Sequence, residues 1–164
     1  MQKPHESHWL EANIILRYIK GTMNYGVFYS RKADVSLLGY TDSDWPGDSY
    51  DQWSTGGFIF QLGSGLISWS RKTLRALSPS SCEAKYMATK EASKKSVWIQ
   101  HILTELGKIQ KSSTTLKCDN KSAIQLENNP LYHSKTKHID ISMHYIRDLV
   151  ADVVITLEYC PTEL

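Results

Sequence analysis

The order of strand-like and helix-like segments constrains the fold of this chain more than any other feature. Residues 35–45 predict a strand, and "STGGFIFQLGSGLISWSRK" at 54–72 predicts two more, because apolar runs joined by "GSG" are typical of a hairpin. From Ser80 to Leu106, apolar residues recur at helical spacing until Gly107, a residue type that commonly follows a helix. The sequence therefore predicts three antiparallel strands followed by a long helix.

The segments on either side extend this pattern. "HWLEANIILRYIKGT" at 8–22 predicts a first helix, and "YGVFYS" at 25–30 predicts a strand that would make a fourth. After the long helix, the sequence predicts a strand, a short helix, a helix and a last strand, at 114–120, 121–129, 137–152 and 153–160. The predicted fold class is α/β, with helices flanking a sheet whose first strands are antiparallel.

Length, charge and cysteine content exclude several classes of protein. The chain has 164 residues, of which 41% are hydrophobic, and this suits one globular domain. Nineteen basic and seventeen acidic residues give a formal charge of +2, too small by itself to indicate nucleic-acid binding. The three cysteines include no Cys-x-x-Cys pair, and no apolar run approaches the roughly 20 residues of a membrane span. Because the polar N-terminus has no signal-peptide pattern, we expect no membrane contact and an intracellular location.

Two acidic residues stand at the predicted ends of strands. Asp42 lies in "GYTDSDWPGD" at 39–48, and Asp119 ends the strand that follows the long helix. Carboxylates at neighbouring strand ends can converge and bind Mg²⁺ or Mn²⁺, an arrangement used in phosphodiester hydrolysis. The alternative interpretation is a turn in which Asp44 and Asp48 bond the local backbone.

Several separate motifs carry a family resemblance. They are "HWLEANIILRYIKGT", "GYTDSDWPGD", "STGGFIFQLGSGLISWSRK", "SCEAKYMA", "CDNKSAIQLENNPLYHSKTKHIDI" and "ITLEYCPTE". Together they resemble the ribonuclease H region of copia-type retrotransposon polyproteins. The resemblance implies a remnant of the reverse transcriptase connection at 1–33, a helix plus a strand, and a ribonuclease H-like domain with a mixed sheet at 34–164. It also implies a two-metal enzyme that cleaves the RNA strand of RNA–DNA hybrids.

The resemblance supplies only part of the family's Asp-Glu-Asp-Asp metal-binding set. The first Asp falls on Asp42 and the third on Asp119, but the Glu position falls on Lys85. A lysine ammonium there would compete with a divalent cation for the same carboxylates. Glu83 is a further candidate, although two helical steps turn it about 200° away from Lys85. The family's fourth Asp lies on a final helix, and the sequence stops at Leu164 before it. We therefore expect a C-terminally truncated domain with the final helix missing.

Basic residues form a candidate surface for a nucleic-acid backbone. Lys90, Lys94 and Lys95 lie on the predicted long helix, and Lys137 begins the helix predicted at 137–152. In a ribonuclease H-like fold such lysines could follow a phosphate backbone, and the alternative interpretation is solvated surface charge. The five tryptophans are expected to lie mainly in the core.

Three functions follow from these observations. The preferred one is a degenerate ribonuclease H-like domain with weak or no cleavage, whose partners are an RNA–DNA hybrid and the polymerase region of a parent polyprotein. The second is an active hybrid ribonuclease in which Asp42, Asp119 and another acid, such as Glu83 or Asp140, hold Mg²⁺ or Mn²⁺ as cofactor. The third follows from chains resembling this stretch that are labelled secreted oomycete RxLR-type effectors, which suppress host cell death. In that case the partner is a host protein and the chain is secreted into the host cell. The nearest match to such a motif is "KTLR" at 72–75.

Overall fold

The structure is a computed structural model that describes residues 4–31, 35–44, 54–73, 81–119, 121, 124 and 137–161. The side chains of residues 81–83 and 137–143 lie outside this description. The elements in chain order are α1 (Glu6–Gly21), β1 (Leu37–Asp44), β2 (Thr55–Leu62), β3 (Gly65–Thr73), α2 (Ser81–Glu105), β4 (Thr114–Cys118), α3 (Lys137–Ala151) and β5 (Ile155–Tyr159). The predicted short helix at 121–129 falls almost wholly outside the described residues.

The strands form one five-stranded sheet in the order β3-β2-β1-β4-β5. β1 pairs antiparallel with β2, and β2 pairs antiparallel with β3. β4 joins the other edge of β1 in parallel, and β5 joins β4 in parallel. The sheet is therefore mixed, and the predicted α/β fold class is confirmed.

The hydrophobic core lies between one face of the sheet and the helices α2 and α3. Side chains of β1, β2, β4 and β5 pack there against both helices. The buried members of this cluster are Leu37, Phe60, Tyr86, Ala92, Ile99, Leu103, Leu116, Ile146, Ile155 and Leu157. Gly39 allows the closest packing, because a Cβ there would overlap Leu116 and lie 2.6 Å from Phe60 Cε1. Two helices and four of the five strands thus share one core at the face opposite Asp42.

Helices α2 and α3 end in the same hydrogen-bonded motif. After α2, the Lys108 N–H donates to the carbonyl five residues earlier at 2.7 Å, and after α3 the Val154 N–H does the same at 2.8 Å. The residue before each donor adopts a left-handed backbone, with φ of 69° at Gly107 and 58° at Val153. This is the Schellman arrangement, in which glycine normally takes the left-handed position. Val153 takes that position with a β-branched side chain, which is strained there.

The N-terminal segment differs from the sequence-based expectation. The predicted strand at 25–30 is wrong, because these residues belong to no helix or strand. They contact the β2–β3 turn instead: the Tyr29 hydroxyl donates to Leu66 O at 2.6 Å, and the Ser30 N–H donates to Ser64 Oγ at 3.2 Å. Gly65 leaves room for the Tyr29 ring, because a Cβ at Gly65 would overlap it. Side-chain and turn contacts replace strand pairing in this segment.

Helix α1 has no buried residue. Its exposed apolar side chains include Trp9, Leu10, Ile14, Ile15, Leu16, Tyr18 and Ile19. Trp69 and Trp98 are also exposed, so the expectation of a mainly buried set of tryptophans is wrong for these residues and for Trp9. Within the described ranges, no helix is both long and apolar enough to cross a membrane.

Candidate functional site

The face of the sheet opposite the core carries the acidic residues of β1. Along this strand, Gly39, Thr41 and Ser43 are buried toward the helices, whereas Asp42 and Asp44 are exposed. This alternation follows from the period of two in a β-strand, which sends successive side chains to opposite faces. The two aspartates of "GYTDSD" therefore lie on the face of the sheet that points away from α2 and α3.

Parallel pairing brings Asp42 and Asp119 together. The last paired positions of β1 and β4 are Thr41 and Cys118, and each is followed directly by one of these aspartates. Neighbouring strands lie about 4.8 Å apart, so the two acids stand side by side at the same edge. Both line a cavity of about 490 Å³. The structure thus places the two predicted acids at one site, while their metal-binding role stays a prediction.

Gly57 opens the floor of the cavity beside Asp42. It is the antiparallel partner of Asp42 on β2, and it has no side chain to fill the space between that acid and β3. A Cβ there would meet only Ser70 O, at 3.4 Å. The other walls come from β1 to β4 and from the residues after β5, and they include Tyr40, Ile59, Trp69, Arg71, Lys117 and Pro161.

Lys85 on α2 contacts this site by pairing with Asp119. Its Nζ contacts Asp119 Oδ2, and the two side chains are only 27% and 18% exposed. The backbone carbonyl of Lys85 accepts a hydrogen bond of 2.8 Å from Thr89 Oγ1 within the helix. Lys85 had been placed by resemblance at the position of a metal-binding Glu, and the structure shows its ammonium paired with one of the two expected ligands.

The remaining acids of β1 have different partners. Asp42 Oδ1 accepts the Ser43 N–H at 2.7 Å. Asp44 pairs with Arg71 of β3 at 3.3 Å, and both side chains are about three-quarters exposed. Asp44 therefore bonds across the sheet, and the turn predicted after it, with Asp48, lies outside the described residues. Of Asp42, Asp44 and Asp119, only Asp42 makes no ion pair within the described part of the chain.

The described side chains around the acid pair do not by themselves fit a divalent metal site. Mg²⁺ and Mn²⁺ favour several oxygen ligands, and two-metal hydrolysis needs enough carboxylates to hold both ions. Among the side chains that the structure describes, no three His, Cys, Asp or Glu residues come together as a metal-binding group. The Lys85 ammonium already forms an ion pair with the Asp119 carboxylate. The described donor set therefore lacks both the number of ligands and the negative charge that the metal would need.

The predicted basic residues separate into different environments. Lys94 pairs with Glu91 at 2.8 Å, and Lys95 places its Nζ 3.5 Å from the centre of the Trp98 ring. Lys94, Lys95 and Lys72 line a second groove, of about 560 Å³, between α2 and the strands β2 and β3. Lys90 lies one turn before Lys94 on the same helix. These lysines are not part of the acid-lined cavity.

Two predicted site residues have backbones but no described side chains. Glu83 lies in the first turn of α2, and Lys137 begins α3. Their proposed roles in metal and nucleic-acid binding stay predictions.

Trp69 and Lys117 of the cavity wall were missed by sequence reasoning. Trp69 and Arg71 alternate on β3, opposite Ile59 and Gly57 of β2, and so share the face that carries Asp42. Lys117 adds a second cation, with its Nζ 5.8 Å from the centre of the Tyr40 ring. Counting alternate residues outward from the "GSG" turn could have placed Trp69 and Arg71 on one face, but only strand pairing shows that it is the face of the acids.

The fold and the position of the acid pair define a ribonuclease H-like domain. Among solved structures, LC11-RNase H1 in complex with RNA/DNA hybrid is similar with a TM-score of 0.55 and 14% identity, covering 78% of this chain and 87% of that one. The foamy viral protease-reverse transcriptase dRH in complex with double-stranded DNA is similar with a TM-score of 0.55 and 14% identity. That match covers 94% of this chain and 25% of the viral one.

The sequence relatives of this chain include Pol polyproteins of retrotransposons. The retrovirus-related Pol polyprotein from transposon TNT 1-94 of Nicotiana tabacum is 39% identical over 152 residues, which are 93% of this chain and 11% of the polyprotein. The Pol polyprotein from transposon RE1 of Arabidopsis thaliana is 42% identical over 150 residues, 92% of this chain and 10% of the polyprotein. The homologues of this chain are therefore retrovirus-related Pol polyproteins from copia-type transposons, and its structural neighbours are ribonuclease H domains.

The chain spans about a tenth of the length of these polyprotein relatives. A shorter relative, the secreted RxLR effector protein 161 of Plasmopara viticola, is 40% identical over 96 residues, which are 58% of this chain and 68% of the effector. No family model matches the sequence.

Proposed function

We propose that this chain is a nucleic-acid-binding ribonuclease H-like domain that holds an RNA–DNA hybrid but cleaves its RNA strand weakly or not at all. The observation that carries the proposal is the contact between the Lys85 ammonium and the Asp119 carboxylate. In two-metal hydrolysis, carboxylates hold the ions that activate water and stabilise the leaving oxygen. A paired Asp119 and an exposed Asp42 supply too little of that charge.

The charge balance of the cavity favours binding over chemistry. Lys85 neutralises Asp119 and Arg71 pairs with Asp44, so the repulsion that acids would exert on a phosphate is reduced. Lys117 and Arg71 provide cations in the cavity wall. Phosphate contacts of this kind give affinity without sequence specificity, and they weaken as salt rises. An A-form-like hybrid is recognised largely by such contacts and by shape.

Binding and cleavage are measured on one fluorescently labelled RNA–DNA hybrid. We expect a Kd of about 1–100 µM near physiological salt, as for non-specific nucleic-acid binding. With Mg²⁺ or Mn²⁺, we expect cleavage at least about a hundredfold slower than by an active ribonuclease H assayed in parallel. Double-stranded DNA of the same length serves as the control ligand.

Efficient cleavage that is lost in Asp42→Asn would overturn the weak-cleavage proposal in favour of the active metal-dependent enzyme. Glu83→Gln and Asp140→Asn would then show which further acid completes the site. Failure to bind any hybrid at low salt would remove the nucleic-acid function as a whole.

Helix α1 supports a further part of this proposal, a contact with the polymerase region of a longer polyprotein. Apolar side chains lie on all sides of α1, as in helices that are enclosed by protein. The Pol relatives are about ten times as long as this chain. Co-expression with the polymerase region of such a relative should give a complex that Ile14→Glu and Ile15→Glu weaken. An unchanged complex would remove α1 from the interface.

A role as a host-directed effector is the second candidate. It is supported by the similarity to the RxLR effector of Plasmopara viticola, of which this chain covers 68%. Expression in plant leaves should then suppress induced cell death, and Asp42→Asn combined with Asp119→Asn should leave the suppression unchanged. Suppression that disappears in this double variant would instead make the effect depend on the acid pair.

A further inference from the structure

The Lys85 ammonium is a positive charge held by the fold against Asp119, one of the two acids of the pair. Lys85 lies on α2, which packs on the sheet through the core, and its Nζ contacts Asp119 Oδ2 at the edge of β4. Both side chains are largely removed from solvent. Opposite charges in such a position attract each other more strongly than they would in water. The pair is therefore a fixed feature of the site.

We propose that Lys85 is a tethered cation that takes the place of a divalent metal at Asp119 and closes the acid pair to Mg²⁺ and Mn²⁺. The proposal deepens the proposed function, on which it rests only in treating Asp42 and Asp119 as the functional pair. It makes Lys85 the residue that decides whether this site is metal-dependent.

Competition between the two cations explains the exclusion. A metal ion at Asp119 would have to displace the ammonium and would then lie beside a positive charge with reduced access to water. The ammonium is covalently attached, so it is present at high effective concentration, whereas a metal must be recruited from solution. Two carboxylates alone offer little to offset that cost.

A second lysine on the same helix provides a matched control. Lys94 also pairs with a carboxylate, that of Glu91, at 2.8 Å, but both side chains are about half exposed. Lys94 and Glu91 line the groove on the other side of α2 and do not face the acid pair. Removing either lysine frees one carboxylate, but only removal of Lys85 frees one beside a second acid.

Direct Mn²⁺ binding, without nucleic acid, tests the proposal. Mn²⁺ binding is followed by the electron paramagnetic resonance of the free ion and by calorimetry, on the unmodified chain and on Lys85→Gln, Lys85→Glu, Lys85→Arg and Lys94→Gln. We expect Lys85→Gln to bind Mn²⁺ at least about tenfold more tightly than the unmodified chain, and Lys85→Glu more tightly still. Lys85→Arg and Lys94→Gln should remain at the unmodified level. Adding Asp42→Asn to Lys85→Gln should remove the gain.

Two results would overturn the proposal. One is Mn²⁺ binding by the unmodified chain that is as tight as that of Lys85→Gln. The other is a folded Lys85→Gln or Lys85→Glu, by circular dichroism, that gains no affinity. If Lys85→Gln does not fold, Asp119→Asn is compared with the unmodified chain instead. Because the proposal closes the pair to the metal, Asp119→Asn should bind Mn²⁺ no differently, and a loss of Mn²⁺ binding in Asp119→Asn would show a metal already bound at the pair and overturn the proposal. Hybrid binding plays no part in this readout, so its failure is separate from failure of the proposed function.

Discussion

Lys85 and Asp119 form an ion pair that is far less exposed than the pair between Arg71 and Asp44, although the aspartates of both pairs line the same cavity. Lys85 reaches Asp119 from a helix, whereas Arg71 and Asp44 bond across two strands of the sheet. Comparing the two pairs shows how burial changes the contribution of an ion pair to the free energy of unfolding.

Asp119→Asn should lower the free energy of unfolding by about 1–3 kcal/mol, because it leaves a partly buried ammonium without its charged partner. Asp44→Asn should change it by less than about 0.5 kcal/mol, because exposed ion pairs contribute little. Urea unfolding followed by circular dichroism measures both. Equal effects of the two substitutions would contradict a special role for the Lys85 contact.

Val153 offers a stabilising substitution. Val153→Gly should raise the free energy of unfolding by about 0.5–1 kcal/mol, because glycine adopts the left-handed backbone without the steric cost of a β-branched side chain. Val153 is largely exposed, so little packing is lost. Thermal and urea unfolding measure the gain.

The same motif after α2 supplies the reverse control. Gly107→Ala should lower the free energy of unfolding by about 1 kcal/mol, because it introduces at Gly107 the strain that Val153 already carries. Opposite signs for the two substitutions are expected. A loss of stability in Val153→Gly would show that the strain at this position is compensated by contacts of the valine.

The packing of Gly39 predicts a strong effect of one methyl group. Gly39→Ala should destabilise the fold by about 1–3 kcal/mol, because the added Cβ would overlap Leu116 and press on Phe60 in the core. Gly57→Ala is the matched control on the neighbouring strand, where the new Cβ meets only Ser70 O at 3.4 Å. Similar unfolding midpoints for the two variants would contradict the tight contact seen at Gly39.

The lysines of α2 make a prediction about hybrid binding. If Lys90 and Lys94 follow the phosphate backbone, replacing both with Ala should weaken binding and flatten the dependence of log Kd on log salt by about 1 per lost contact. Lys108→Ala with Lys111→Ala removes two exposed lysines after α2 and should leave the slope nearly unchanged. Fluorescence anisotropy at several salt concentrations measures both. If the Lys90 and Lys94 double variant has the same salt dependence as the unmodified chain, these two lysines are solvated surface charges that do not contact the hybrid.

Much of the fold could be predicted from the sequence because its elements are strongly patterned. The hairpin, the long helix and the strand at β4 were each marked by local signals, a turn motif, helical spacing or a glycine stop. The segment at 25–30 was not predictable in the same way. Its aromatic and β-branched composition favours a strand, but Tyr29 is held by the hairpin turn instead. Composition cannot show which partner a segment finds.

The site was predictable to the extent that it depends on strand ends. The positions of Asp42 and Asp119 could be predicted from the order of the strands and the alternation of side chains. The C-terminal ends of neighbouring parallel strands lie at the same edge of a sheet. The partner of Lys85 could not be predicted, because the reach of a long side chain depends on where α2 crosses the sheet. Trp69 was missed for a related reason: its face is set by the pairing of β3 with β2, which no local pattern specifies.

The parallel pairing of β1 with β4 also has a consequence for the order of folding. β2, β3 and α2 all lie between these strands in the chain, so the Asp42–Asp119 neighbourhood depends on closing a long loop, which is entropically costly and slow. The β1–β2–β3 meander, by contrast, needs only local turns. A partly folded chain could therefore contain a complete meander while its two aspartates remain apart. The contact of Lys85 with Asp119 would then mark molecules that have finished folding.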